Sequence, residues 1–406
     1  MKSVQEALDD ILRHFDALPS ESIPLENGLD RVLAGDAVAA DDMPPFANSS
    51  MDGYALRAAD LAEVPVTLRV VGDIPAGSSP DFTVEAGTAA RIMTGAPLPP
   101  GADAIVPVED TDDARDALPE TIEIRKRVDS GAYVRPQGED VRAGEKALAA
   151  GHRLRPQDLG LLAGLGLPNI DVVRRPRVAI VSTGDELLTP DQPVTPGKIR
   201  DTNSYSLRGM VTALGAEAVP MGIAGDTEAA VREKFNAAAQ AGVDLILSSA
   251  GVSVGARDVV KTVLDELGAL DFWRVNMRPG KPLAFGHIQN IPFLGLPGNP
   301  VSSLISFEVF VRPSILKMLG RPVIVPQLEA VVAEDMKSDG RESFIRVTLN
   351  REDGRLVARE TGTQSSGALS SLVKADALLV IPAGVTQVNA GDTFSVRPFA
   401  GQPIWM

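Results

Sequence analysis

Apolar positions in the first segment recur at helical spacing: Ala7, Leu8, Ile11, Leu12, Phe15 and Leu18 follow a Ser3/Glu6 capping-box pair. That pattern predicts an amphipathic helix. Between residues 46 and 140 the text changes to short β-like runs, such as 66–71, 104–108 and 121–125, separated by Gly- and Pro-rich turns. This predicts a small β-rich domain. Helical text returns over 156–165 with little nearby to bury it, so it is expected to pair with the N-terminal helix.

From residue 177 onward buried runs of strand length, at 178–181, 218–221, 244–247 and 292–296, are separated by helical patterns. Those patterns cover 204–214, 228–240 and 258–267, with a further helix near 302–319. Alternation of this kind predicts a mainly parallel sheet with helices on both faces, a doubly wound α/β domain. Beyond Pro322 the helical pattern stops, and 344–349, 356–359, 378–381 and 394–397 predict a small β-barrel or sandwich. The expected domains are a discontinuous helical linker domain (1–45 with 141–176), a β-rich domain (46–140), the α/β domain (177–321) and a C-terminal β-barrel domain (322–406).

Composition narrows the function. A net charge of -15 repels phosphate backbones, so no nucleic acid is expected as partner, and any anionic substrate needs a local basic pocket. With no Cys there is no disulfide framework, thiolate nucleophile or Cys-ligated zinc. His14, His152 and His287 are far apart in the chain, so a metal is expected to be oxygen-ligated. No apolar run has membrane-spanning length and the N-terminal text has no secretory pattern. The expectation is a cytoplasmic protein with no membrane partner.

In an open α/β sheet, ligands bind beyond the carboxyl ends of the strands. After 178–181 come Ser182, Thr183, Gly184, Asp185 and Glu186, which serve equally as a capped turn or as a ligand loop with carboxylates for a cation. Asp226, in Gly225-Asp226-Thr227, has the position of an ordinary helix cap. The loop from Ser248 through Ser249 and Gly251 to Gly255 is rich in small residues and suits a phosphate, though it matches neither a P-loop nor GxGxxG. Asp258 at the following helix start, with Asp226 and Glu186, makes a carboxylate set suited to Mg²⁺. Arg274, Arg278 and Lys281 sit on a segment held by Pro279, Gly280 and Pro282, and fixed cations there bind oxyanions. Pro297 and Pro300 fix a strand-to-helix elbow.

Segments FANSSMDGYALR (46–57), RIMTGAP (91–97), RPQGED (135–140), STGDEL (182–187), GVSVGARD (251–258), RPGKP (278–282) and GLPGNPVS (295–302) occur in this order across nearly the whole chain. Together they resemble the MoeA family, to which the gephyrin E domain belongs. The resemblance implies a MogA-like α/β domain among four domains, a homodimer, and a cleft formed with parts of a second subunit. It implies a molybdopterin molybdenumtransferase that takes adenylylated molybdopterin, molybdate and Mg²⁺, releases AMP, and works beside other proteins of molybdenum cofactor biosynthesis. The metal's sulfur ligands then belong to the pterin.

Carried over by motif, the resemblance places functional roles on Asp52, Thr94, Arg135 and Asp140, and on Glu186, Asp226 and Asp258 as Mg²⁺ ligands. It surrounds molybdate or the pterin phosphate with Arg274, Arg278, Lys281, Arg346 and Ser365 or Ser366, and shapes the wall with Pro297 and Pro300. Ala250 stands where the family has Gly, and Arg278 where it has Lys, so loop freedom and anion geometry are expected to differ. A gephyrin-like peptide-binding scaffold and a molybdopterin adenylyltransferase are the competing readings. Peptide binding without molybdate-dependent activity marks the first, and ATP-dependent adenylylation marks the second.

Overall fold

The computed structural model describes residues 1–114, 117–249, 259–324 and 327–399, without the side chains of residues 272 and 273. The chain divides into two compact units, one of Met1–Glu21, Asp30–Val32 and Val173–Met406, the other of Ser22–Leu29 and Leu33–Val172. Asp258, Gly251 and Ala250 lie outside the described residues.

In the first unit, helix α1 (Val4–Leu12) starts on its capping box: the Glu6 carboxylate accepts from the Ser3 N–H at 2.8 Å, and the Ser3 hydroxyl accepts from the Glu6 N–H. A cap of this kind stabilises a helix by about 1 kcal/mol. The helix ends at Leu12 rather than reaching Leu18. Lys317 Nζ takes the Leu12 carbonyl and the Leu18 N–H donates to the Met318 carbonyl, so this stretch is tied to the helix of residues 312–318. Val4, Ala7, Ile11 and Phe15 share a core with Ile315 and Leu319. The 156–165 helix, expected as the partner of α1, belongs to the other unit.

The α/β sheet contains β1 (Arg177–Thr183), β2 (Glu217–Ala224), β3 (Leu245–Ser249), β4 (Gly268–Arg274), β5 (Pro282–Ile288) and β6 (Ile291–Leu296), in the order β2-β1-β3-β6-β5-β4. The first three pairings in that order are parallel and the last two antiparallel, so β5 alone runs against the other five strands. Val178 and Ile180 face one core, Ala179 and Val181 the other, which is why β1 reads as an unbroken apolar run. Helices α2 (Asn203–Ala213), α3 (Glu228–Gln240) and α4 (Val259–Leu267) join the strands. The predicted helix near 302–319 is α5 (Pro300–Ser306), a π turn over Phe307–Val311 and α6 (Arg312–Met318).

The same unit ends in a closed barrel of β7 (Leu328–Val332), β8 (Glu342–Glu352), β9 (Arg355–Glu360), β10 (Ala377–Ile381) and β11 (Thr393–Pro398). The ring runs β8-β9-β7-β11-β10 and closes through β10 onto β8. Its seam between β7 and β9 has only the partners Val331↔Val357 and Val332↔Ala358. Val332, Val347, Ala358, Leu379 and Val396 share its core.

The second unit holds a five-stranded sheet ordered 104–107, 53–56, 88–92, 66–74, 121–124. Tyr54 and Leu56 face one core and Ala55 the other, the period-two alternation expected of a strand. A separate cluster gathers Leu33, Ala37, Leu154, Leu162, Ile170 and Val172, so segments from both sides of the β-rich insert meet around the helix Pro156–Gly164. Among the described residues no helix is long and apolar enough to cross a membrane.

Candidate active site

Parallel strands β1, β2, β3 and β6 all end at one side of the sheet, and a cavity of about 570 Å³ lies there, lined by Thr183, Glu186, Asp226, Ser249, Pro297 and Pro300 among others. This is within the size range of small-molecule sites. Gly184 adopts φ +146, and a Cβ there would come 2.5 Å from the Glu186 carboxylate. Glycine lets the Glu186 carboxylate lie against this loop, and an added Cβ would displace that side-chain end. Asp226 and Asp185 interlock: each carboxylate accepts the other's backbone N–H at 3.1 Å. The helix cap predicted at Asp226 is made by Thr227, whose hydroxyl accepts from the Ala230 N–H. Asp226 thereby lines the cavity with one carboxylate oxygen held in the clasp.

Two lining residues absent from the sequence reading organise the wall. The buried Asp201 carboxylate accepts from the Ser182 hydroxyl at 2.8 Å and from the Ser204 N–H at 3.1 Å, so it stitches β1 to the start of α2. Ser182, expected to touch substrate, therefore spends its hydroxyl inside the fold and does not line the cavity. The Asn203 amide donates to Ser249 Oγ and to the Gly298 carbonyl, both at 2.8 Å, and ties β3 to the Pro297/Pro300 elbow. Among the described residues, Thr183 Oγ1 and Asn203 Oδ1 are buried without a hydrogen-bond partner. Asp201 just precedes α2 and Asn203 opens it, a place where sequence alone offers only a generic capping signal.

A second cavity of about 660 Å³ shares Pro282 and Ser302 with the first and is lined by Arg278, Lys281, Lys337, Arg341, Arg346, Glu360, Gln364, Ser365 and Ser366. The short strand Met277–Arg278 pairs in parallel with the start of β8 and carries Arg278 to the barrel. Gly280, at φ +102, lies where a Cβ would come 2.7 Å from Ser306 Oγ, so the loop carrying Lys281 packs directly on α5. Arg346 is 1% exposed. Its Nη2 donates to the carbonyls of Thr363 and Ser365 at 3.1 and 3.3 Å, while Nε has no partner among the described residues. Gln364 bonds both the N–H and the carbonyl of Arg346, fixing the loop that brings Ser365 and Ser366 to the cavity.

Burial pushes the Arg346 guanidinium below its usual range, with Glu360 opposing that shift. Glu360 is pushed upward by burial first and by Glu334 next, against the pull of Arg346. Asp339 is held down chiefly by its hydrogen bond from Arg341, and lies 3.8 Å from Arg278. A buried cation whose charge is not neutralised by a salt-bridged carboxylate favours a bound anion.

Not every expected residue joins these walls. Arg274, at the end of β4 and paired in register with Pro282, is exposed and lines neither cavity. Its place at a sheet edge, rather than on the Pro- and Gly-held loop, takes it away. In the second unit, Thr94 donates through both its N–H and its hydroxyl to one Asp52 oxygen, each at 2.7 Å. Arg135 lies in a short strand paired with Asn48, and the Asp140 N–H donates to the Met43 carbonyl. These four side chains are exposed. Among the described residues no three His, Asp or Glu side chains form a metal-holding group. Glu186 and Asp226 line one cavity, and the third carboxylate of the expected set, Asp258, is outside the described residues.

Family comparisons cover most of the chain. Residues 2–166 match the MoeA N-terminal region (domain I and II), 179–317 a probable molybdopterin binding domain, and 329–399 the MoeA C-terminal region (domain IV). Molybdopterin molybdenumtransferase 2 of Mycobacterium tuberculosis is 40% identical over 414 residues, covering 98% of this chain and 99% of the relative. Molybdopterin molybdenumtransferase of Haemophilus influenzae is 36% identical, covering 94% of each chain. A structure of the molybdopterin biosynthesis MoeA protein from Pyrococcus horikoshii superposes with a TM-score of 0.85 at 33% identity, covering 98% of this chain and 99% of that one.

Proposed function

The chain belongs to the MoeA family, and on that premise we propose that it is a molybdopterin molybdenumtransferase that inserts molybdenum from molybdate into adenylylated molybdopterin and releases AMP. The observation that carries this reading is the pairing of two adjoining cavities with different chemistry. One, at the strand ends, offers carboxylates and backbone groups. The other offers Arg278, Lys281 and the buried Arg346, a setting for an oxyanion in a chain of net charge -15. In the proposal, the strand-end cavity takes the phosphates of the pterin adenylate and the second cavity takes molybdate. The shared wall of Pro282 and Ser302 keeps the two reactants side by side, which removes much of the entropic cost of their encounter.

Glu186 and Asp226 present hard oxygen donors of the kind Mg²⁺ takes together with substrate phosphates, so they and Asp258 would hold it. Bound there, Mg²⁺ supplies charge neutralisation to phosphate oxygens. The protein's own part is positional. Gly184 lets Glu186 approach, the Asp185/Asp226 clasp sets the carboxylate direction, and Asn203 fixes the elbow. Lys281 and Arg346 hold the oxyanion electrostatically, without a covalent intermediate. Having no Cys, the chain adds no thiolate to compete with the pterin's sulfurs for the metal.

The proposal extends to a cytoplasmic homodimer whose cleft is served by Asp52, Thr94, Arg135 and Asp140, as the family resemblance implies, and to the domain limits 1–45 with 141–176, 46–140, 177–321 and 322–406. Incubation with adenylylated molybdopterin, molybdate and Mg²⁺ tests the activity. AMP release that depends on both molybdate and Mg²⁺ supports it, whereas release indifferent to molybdate removes it.

A further inference from the structure

Within the cation-lined cavity one acidic side chain is out of keeping. Glu360, at the end of β9, lines the same space as Lys281, Lys337 and Arg346. Asp339 faces Arg278 and Arg341, which accounts for a carboxylate near those cations, but Glu360 has no such pairing. Among the described residues its carboxylate accepts no hydrogen bond and lies in no ion pair. A second carboxylate stands beside it, since Glu334 Oε1 accepts the Glu360 backbone N–H at 2.9 Å. The charged groups facing Glu360 are therefore Glu334 from the segment after β7, Arg346 from β8, and the cavity cations Arg278, Lys281, Lys337 and Arg341.

An ionised Glu360 is an acceptor only, and it repels any oxyanion that enters. Protonated, it loses that repulsion and gains an O–H donor that an oxyanion oxygen can accept. Resting on the reading of this cavity as the oxyanion site, we propose that molybdate binding is coupled to the uptake of one solvent proton by the Glu360 carboxyl, which makes Glu360 a specificity-determining residue of that site. No bond other than the carboxyl O–H forms, and the proton returns to solvent when the oxyanion leaves. Burial and the neighbouring Glu334 both work against the ionised form before any ligand arrives, in keeping with this role. The device favours a dianion with oxygens free to accept over a ligand that must donate.

The test is calorimetry of molybdate binding to the full chain between pH 5.5 and 8.5, in buffers of different ionisation enthalpy, with Glu360→Gln alongside. The wild-type chain is expected to take up close to one proton per molybdate at the upper end of the range. Its Kd should weaken by about tenfold per pH unit once the free carboxyl is ionised. Glu360→Gln, which keeps the shape and removes the charge, should bind with no proton uptake and a flat pH profile, about tenfold or more tighter than wild type at the upper end. A wild-type profile that is already flat, or an equal proton count in the variant, overturns the proposal while leaving the oxyanion site in place. Absence of molybdate binding by the wild type at every pH removes the oxyanion reading itself.

Discussion

The strand-end cavity and the barrel-side cavity share Pro282 and Ser302, yet they hold their polar groups in different ways. At the strand ends the organising side chains are mostly consumed by the fold: Asp201 by Ser182 and Ser204, Asn203 by Ser249 and Gly298, Asp226 in part by Asp185. Beside the barrel, Lys281 and Lys337 make no ion pair among the described residues, and Arg346 is braced by backbone carbonyls rather than by a carboxylate. The first arrangement suits a site that must hold a shape. The second suits a site whose charge is completed by what it binds. A protein joining a large organic substrate to a small dianion has use for both.

The sharpest way to break this contrast is Asp226→Asn. Asparagine keeps an oxygen for the Asp185 N–H, so stability should change by less than about 0.5 kcal/mol, while turnover falls about 10²- to 10³-fold. Measured AMP release that stays at wild-type levels would remove Asp226 from the phosphate and Mg²⁺ side. Next in size is Arg346→Met, which should weaken molybdate binding about 100-fold and lower unfolding free energy by about 2 kcal/mol, because the Thr363 and Ser365 carbonyls lose a charged donor. Equilibrium binding should show adenylate affinity unchanged; a parallel loss of both ligands would mean that the two cavities are one site.

Lys281→Ala should cost less, raising the KM for molybdate about tenfold with little change in kcat, as expected for a charge at the exposed edge of the site. An unchanged KM would place the oxyanion elsewhere. The smallest of these effects is expected for Gly184→Ala, where the added methyl group must push the Glu186 carboxylate aside in a backbone conformation that L residues rarely adopt. Turnover should fall about three- to tenfold with a thermal destabilisation equivalent to about 1 kcal/mol. Crystals of the variant with Glu186 undisturbed would show that the glycine is not needed for its approach.

Legibility in the sequence followed the type of physical signal. Strands β1, β3 and β6 stood out because central parallel strands are apolar on both faces, as Val178 to Val181 are, whereas β2 lies at the sheet edge and is largely half-buried. The β4/β5 hairpin was missed: the intervening Arg278, Pro279, Gly280 and Lys281 read as one basic loop, and antiparallel pairing at a sheet edge leaves no strong apolar run. Arg278, Lys281, Arg346, Ser365 and Ser366 come together only because Met277–Arg278 pairs with β8 and Gln364 folds its loop back onto Arg346. Ser182 looked like a ligand contact because small hydroxyl residues after a strand often are, and nothing nearby announced that Asp201, nineteen residues on, would claim its proton. Glu360 escaped for the opposite reason, since an acidic residue at a strand end in an acidic chain is unremarkable until its neighbours are known.

One consequence lies in how the C-terminal strands meet. A ring leaves no ragged margin for a stray chain to zip onto, so this part of the protein is shielded from strand-swapped aggregates. The ring is not equally fastened all round, however: where Val331 and Val332 meet Val357 and Ala358 it is held by a two-rung ladder, against six rungs between β8 and β9. Breathing of the barrel should begin at that short ladder, whose amides would then be the first of the ring to trade their hydrogens for deuterium.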